Sequence, residues 1–219
     1  MLPPSTLKTL FTICIFTAFQ LTTVECYECT SCSIGECVFN PSTCKTSKAC
    51  FSRRQELTTS GVLSGLAQEK GCSSGSCTPL AFSATLGEKY AFSYDHRCCQ
   101  SKQCNKEDIA LSRDSKPNGI ECPACFTDDD PICDPDPLKC RGAETKCVVV
   151  TGKGTDSSAR SRELFGMGCA TESACNLDMT VMGAVKIRTK CKATSSGSPA
   201  LTPITSAMLA SLFLLKVLL

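Results

Sequence analysis

The chain has 219 residues, 20 of them cysteine, with one histidine, no tryptophan, and 23 basic residues against 21 acidic ones. That cysteine density belongs to a disulfide scaffold made in an oxidising compartment, because cytosolic glutathione keeps thiols reduced. A pI near 7.8 excludes the basic field of a nucleic-acid binder. A zinc scaffold is excluded too, since Cys26-x2-Cys29 and Cys122-x2-Cys125 have no answering pair and His96 is the only histidine.

Residues 1–25 carry Lys8, then an apolar run from Leu10 to Phe19, then Gln20 and small threonines. This reads as a secretory signal peptide too short to span a bilayer, with cleavage expected between Thr22 and Cys26. Cys14 leaves with it, so 19 of the 20 cysteines remain in the mature chain.

The first cysteine block runs from Cys26 to Cys104 and ends in Cys98-Cys99-x4-Cys104-Asn105. Adjacent cysteines do not comfortably bond each other, so one reaches back along the chain and the other closes the short loop to Cys104. Ala49 to Thr58 and Lys89 to Tyr94 read as strands flanked by turns such as Ser60-Gly61 and Leu86-Gly87. Residues 106–121 have no cysteine, mix charges and contain Pro117-Asn118-Gly119, and so read as a surface linker.

The second block, Cys122 to Cys191, repeats the opening Cys-x2-Cys. Cys147 to Thr151 and Glu163 to Gly168 read as the arms of a long hairpin. A second hairpin runs Asn176 to Met182, turns at Gly183 and returns from Val185 to Lys190. There Val185, Ile187 and Thr189 alternate with Lys186, Arg188 and Lys190, which gives one packed face and one wet face. Beyond it, Ser195, Ser196 and Gly197, a polar spacer and a thirteen-residue apolar tail from Ala207 to Leu219 have the layout of a glycosylphosphatidylinositol attachment signal. Ser195 is the expected site, with Ser196 and Gly197 as fallbacks. The tail is too short for a spanning helix.

The opening Cys26-Tyr-Glu-Cys29 and the closing Cys98-Cys99-x4-Cys104-Asn105 resemble the lymphocyte-antigen and urokinase-receptor superfamily, whose unit is a three-finger β-domain. In block two, Cys140-Arg-Gly-Ala-Glu-Thr-Lys-Cys147 and Gly168-Cys-Ala-Thr-Glu-Ser-Ala-Cys175 resemble second modules of urokinase-receptor-type proteins and of gamma-type secreted phospholipase inhibitors. The resemblance implies an all-β, small disulfide-rich fold. Its two tandem three-finger domains are expected at residues 26–105 and 122–192, with the linker 106–121 between them and an attachment signal at 193–219.

The pairing it implies is Cys26–Cys50, Cys29–Cys37, Cys44–Cys72, Cys77–Cys98 and Cys99–Cys104, then Cys122–Cys147, Cys125–Cys133, Cys140–Cys169 and Cys175–Cys191. Cys32 is left unpaired, and it competes with Cys29 and Cys37 for a partner. The second module also lacks the closing double-cysteine clasp.

Candidate chemistry is sparse. His96 beside Asp95 is the one possible base, but neighbours on a strand point to opposite faces, so Asp95 is not placed to orient it. Asp128, Asp129 and Asp130 with Asp134 and Asp136 lack the glycine and terminal glutamate of a calcium loop. The expected activity is therefore binding without catalysis, cofactor, metal or nucleic acid.

The expected protein is a receptor-like molecule on the extracellular face of the plasma membrane, held by a lipid anchor and recognising an extracellular or cell-surface protein ligand. The alternative is a soluble secreted inhibitor of an extracellular enzyme such as a secreted phospholipase. Expected ligand contacts are Arg53, Arg54, Lys153, Arg160 and Arg162 on the central fingers, with Tyr90, Phe92 or Tyr94 as apolar anchors where exposed. Asn40-Pro-Ser is blocked as a sequon, and Asn105, Asn118 and Asn176 lack the required hydroxyl residue, so the finger surfaces are expected free of N-glycans.

Overall fold

A computed structural model describes residues 26–37, 41–111, 114–128, 130, 132–155 and 161–192. The expected signal peptide and the attachment signal with Ser195, Ser196 and Gly197 lie outside the described residues, as does Arg160. Among the described residues twelve strands run in chain order: β1 (Tyr27–Ser31), β2 (Ser42–Thr46), β3 (Cys50–Thr59), β4 (Val62–Cys72), β5 (Leu80–Leu86), β6 (Tyr90–Cys99), β7 (Pro117–Thr127), β8 (Asp136–Arg141), β9 (Lys146–Thr155), β10 (Ser161–Ala170), β11 (Asp178–Val181) and β12 (Val185–Lys192). A 3-10 turn, Glu172–Ala174, precedes β11. Taken in pairs, the strands make the three fingers of each of two repeats.

Two compact units emerge, and they do not coincide with the two sequence repeats. One gathers the chain up to Arg54 with Ala67–Leu80 and Asp95–Ala110. The other gathers Gln55–Leu66, Ala81–Tyr94 and the chain from Leu111 onward.

In the first unit, β1 and β2 form a two-stranded antiparallel ribbon from Tyr27↔Thr46 to Ser31↔Ser42. Five bridges tie it: Cys29–Cys50, Cys32–Cys37, Cys44–Cys72, Cys77–Cys98 and Cys99–Cys104. This corrects the pairing implied by resemblance at two places. Cys50 takes Cys29 rather than Cys26, and Cys37 takes Cys32 rather than Cys29. Cys32 is therefore bridged, and among the described residues the exposed free thiol is Cys26.

The reason is positional. Cys29 is the fully buried centre of β1, with its Cα 5.4 Å from that of Cys50, whereas Cys26 precedes the strand and faces solvent. Residues three apart on a strand face opposite sides, so Cys26 and Cys29 do not share a face.

Asn105 completes this unit. Its side chain is bonded to three backbone groups: it accepts from Thr30 N at 2.9 Å and donates to Thr30 O at 2.8 Å and Phe51 O at 2.9 Å.

The stretch read as a surface linker is bound at both ends. Lys70, buried at 6% exposure, donates to Lys106 O at 2.6 Å and pairs with Asp108 at 2.7 Å, and Ile109 is buried beside them in the same unit. At the other end, residues 117–121 are the start of β7. The hydrogen bond from Lys70 holds the Asp108 carboxyl below its ordinary pKa, with Gln68 assisting. A depressed carboxyl contributes stability that is full above the unfolded value, about 3.9, and is lost as pH falls through the lower folded value. Asp108 is largely exposed, so this contribution is at most about 1 kcal/mol. An Asp108→Asn variant should melt slightly earlier than wild type at pH 7, and the gap should close in unfolding scans taken toward pH 2. A gap independent of pH would exclude the ion pair as its source.

In the second unit, β10 pairs with β9 from Ser161↔Thr155 to Ala170↔Lys146. It also pairs with β7 at Phe165↔Thr127 and with β5 at Gly168↔Leu86. A Cβ at Gly168 would collide with the carbonyl of Thr85, so only glycine lets β5 approach. β12 joins the other edge of β9, and β11 lies beyond it.

Four bridges form here: Cys122–Cys147, Cys125–Cys133, Cys140–Cys169 and Cys175–Cys191. Cys122, Cys140, Cys147 and Cys169 form one core cluster, capped by Ile120 and Leu138. A repeat of this size buries little apolar surface, and stacked half-cystines supply what large side chains do not.

Candidate binding surfaces

The one histidine is built into the first unit. The Asp95 carboxylate accepts from Arg97 at 2.8 and 3.0 Å, so it is turned away from His96 as strand alternation requires. The His96 ring lies 5.6 Å from Phe51, its Nε2 is 3.5 Å from Cys77 Sγ, and its Nδ1 is buried without a partner. Burial chiefly, and then the Arg53 cation, lower its pKa and favour the neutral ring. Such a ring packs against a bridge and has no carboxylate to hold it as a base.

Three clusters of potential metal ligands occur among the described residues: Cys29, Cys44 and Cys72; Cys77, His96 and Cys98; and Cys122, Cys140 and Cys169. Every cysteine in them is bridged, so none offers a thiolate. Of the acidic loop, Asp128 and Asp130 follow β7, Asp136 opens β8 opposite Ala124, and Asp129 lies outside the described residues.

The expected basic contacts divide between the units. Arg53 lies over the Phe51 ring at 5.7 Å and pairs with Glu69 at 3.2 Å, and Arg54 is half-buried next to it on β3. In the other unit, Lys153 is exposed and pairs with Glu163 at 2.6 Å, while the backbone of Arg162 is registered against Gly154.

The expected aromatic anchors are packed, not presented. Tyr94 is 7% exposed and stacks on Phe82 at 5.1 Å. Phe92 meets Phe82 at 5.8 Å, and Tyr90 meets Phe126 at 4.1 Å. For Phe92 and Tyr94 the cause lies on β5, where Phe82, Ala84 and Leu86 alternate as buried positions and Phe82 meets both rings, while Tyr90 is held by Phe126 of β7.

What is presented instead is aliphatic. Val62, Leu63 and Leu66 are 68%, 51% and 44% exposed at the outer end of β4. They follow the turn at Ser60 and Gly61, whose φ values of 52° and 80° suit a two-residue hairpin turn. This tip is braced within its unit. Gln55, buried, accepts from Met182 N at 2.8 Å, and the Met182 methyl lies 3.0 Å from where a Cβ on Gly65 would sit. Ser64 donates to Leu57 O at 3.2 Å. A rigid hairpin that holds three large aliphatic side chains in water has the composition of a contact surface. The signal was visible as Val62-Leu63-x2-Leu66 after a hairpin turn, but sequence alone does not say which side of that strand is covered.

A family model described as the u-PAR/Ly-6 domain matches residues 22–107 and 118–198. Protein RoBo-1 of Rattus norvegicus is 43% identical over 201 residues, covering 89% of this chain and 81% of that one. Phospholipase A2 inhibitor NAI of Notechis ater is 28% identical over 176 residues, covering 78% and 86%. The crystal structure of mouse TEX101 aligns at a TM-score of 0.35 and 14% identity, covering 76% of this chain and 97% of that one. With two domain matches spanning most of its length, this chain belongs to the u-PAR/Ly-6 family.

Proposed function

We propose that this protein is a non-catalytic, receptor-like binding protein on the outer face of the plasma membrane. In this reading it is anchored through a glycosylphosphatidylinositol at Ser195, or at Ser196 or Gly197, and captures an extracellular protein ligand. The observation that carries the reading is the exposed aliphatic tip of Val62, Leu63 and Leu66 on a braced hairpin. Apolar side chains of this kind supply the desolvated centre of a protein interface, and charge at its rim steers encounter. Lys153, Arg160 and Arg162 are the steering charges of this proposal in the unit that carries the tip, and Arg53 and Arg54 are proposed as a separate basic contact on the other unit. A soluble inhibitor of a secreted phospholipase is the second reading, favoured by the similarity to phospholipase A2 inhibitor NAI.

Phosphatidylinositol-specific phospholipase C separates the two. It should release the protein from intact cells, with mature peptides ending at Ser195 or a neighbour. Recovery of peptides from residues 209–219 in the surface-bound form would exclude the anchor. Surface cross-linking and mass spectrometry then identify the partner, against which Leu63→Ser should weaken binding about tenfold or more through a faster off-rate. Unchanged affinity would remove the hairpin tip from the interface.

A further inference from the structure

The exposed face of β12 carries a feature of which the protein-binding reading uses only the neighbouring Lys153. Lys186, Arg188, Lys190 and Lys192 occupy alternate positions of one strand and are all exposed, while Ile187 and Thr189 between them are buried. Alternate residues on a strand lie roughly 6.7 Å apart, so the four cations form a straight row about 20 Å long. Lys153 on β9 is registered directly opposite Lys186 and adds a fifth charge at one end.

Two carboxylates oppose them. Asp178 on β11 accepts from Arg188 Nε at 2.9 Å and lies 3.4 Å from Lys186 Nζ, and Glu163 holds Lys153. Lys190 and Lys192 have no ion pair with any described residue. Five cations against two carboxylates leave a strongly positive strip on a chain whose formal net charge is only +2.

We propose that this strip binds a linear sulfated polysaccharide of the glycosaminoglycan class. The even spacing of like charges along one line matches a chain polyanion with regularly repeating anions. A folded protein partner is disfavoured because the large exposed apolar side chains among the described residues are Ile34, Val62, Leu63, Leu66 and Ile132, none of them on β9, β10 or β12. The face therefore presents no fully exposed apolar anchor of the kind that centres a protein interface, its nearest apolar side chains, Leu164 and Phe165, being half-buried. It keeps what a polyelectrolyte needs, which is a row of solvated cations able to displace condensed counterions.

The test uses the full protein recovered from expressing cells and a size-defined heparin oligosaccharide on a sensor surface. Binding should be measurable at 50 mM salt and weaken by roughly two orders of magnitude by 200 mM, as expected for about four ion contacts. The combined variant Lys186→Gln, Lys190→Gln, Lys192→Gln should lose at least tenfold in affinity and flatten the salt dependence, and arginine at the same positions should restore both. Lys45→Gln, Lys48→Gln, Lys102→Gln makes the same change in net charge in the other unit and should bind as wild type does. Thermal unfolding of each variant checks that the fold is intact.

The proposal is overturned by no binding at 50 mM salt, or by equal loss in the control variant. It is also overturned if desulfated heparin, polyglutamate or phosphatidylserine vesicles bind as well as heparin, since the strip would then answer to negative charge in general.

Discussion

Replacing Asn105 with alanine should destabilise the first unit by about 3 to 5 kcal/mol. The side chain is 3% exposed and satisfies one backbone N–H and two backbone carbonyls, on Thr30 in β1 and Phe51 in β3. Each buried backbone group left without a partner costs roughly 1 to 3 kcal/mol. Domains of this kind have only about 5 to 15 kcal/mol to lose. Asn105→Asp should be at least as damaging, because a carboxylate would face the two carbonyls that the amide now serves as donor. Urea unfolding, read alongside protease sensitivity of the β1–β2 ribbon, measures both. A loss under about 0.5 kcal/mol for the alanine variant would mean that the amide is not the clasp holding β1 against β3.

The second large effect belongs to the sulfur core of the second repeat. Cys140 and Cys169 are essentially inaccessible, and Cys140 Sγ lies 3.4 Å from Cys122 Sγ of the neighbouring bridge, so the two bridges pack on each other. Their sequence separation of 29 closes a loop for which chain entropy alone corresponds to roughly 3 to 4 kcal/mol. The double variant Cys140→Ala, Cys169→Ala also leaves a gap where the two buried bridges pack on each other, so secretion should fall sharply and the recovered protein should unfold at much lower urea.

Cys26→Ser is the contrasting variant. Its thiol is exposed and unbridged, so stability should stay within about 0.5 kcal/mol of wild type. Comparable losses in the two variants would overturn the pairing of Cys29 with Cys50.

The sequence by itself determined the class and much of the frame. Twenty cysteines in 219 residues, a repeated Cys-x2-Cys opening and the Cys98-Cys99 clasp specify a bridged, extracellular pair of repeats. The alternation from Val185 to Lys190 was legible as one packed and one wet face because the strand period of two is a property of the backbone alone.

Tertiary structure decided the rest. Cys26, Cys29 and Cys32 are chemically equivalent in the sequence. Only the register of β1 on β2, which buries Cys29 and leaves Cys26 at the open end, selects the partners of Cys50 and Cys37. Tyr90, Phe92 and Tyr94 looked available as anchors, yet Phe82 and Phe126 are brought against them by chain distant in sequence or by a separate strand. Val62, Leu63 and Leu66 are exposed for the converse reason, since among the described residues nothing covers the outer end of that hairpin enough to remove them from water. Residues 106–109 read as free chain because they hold no cysteine, but the buried ammonium of Lys70 draws their carbonyls and Asp108 into the fold. Alternation along a strand tells which residues share a face, and only the packing of distant segments decides which face is covered.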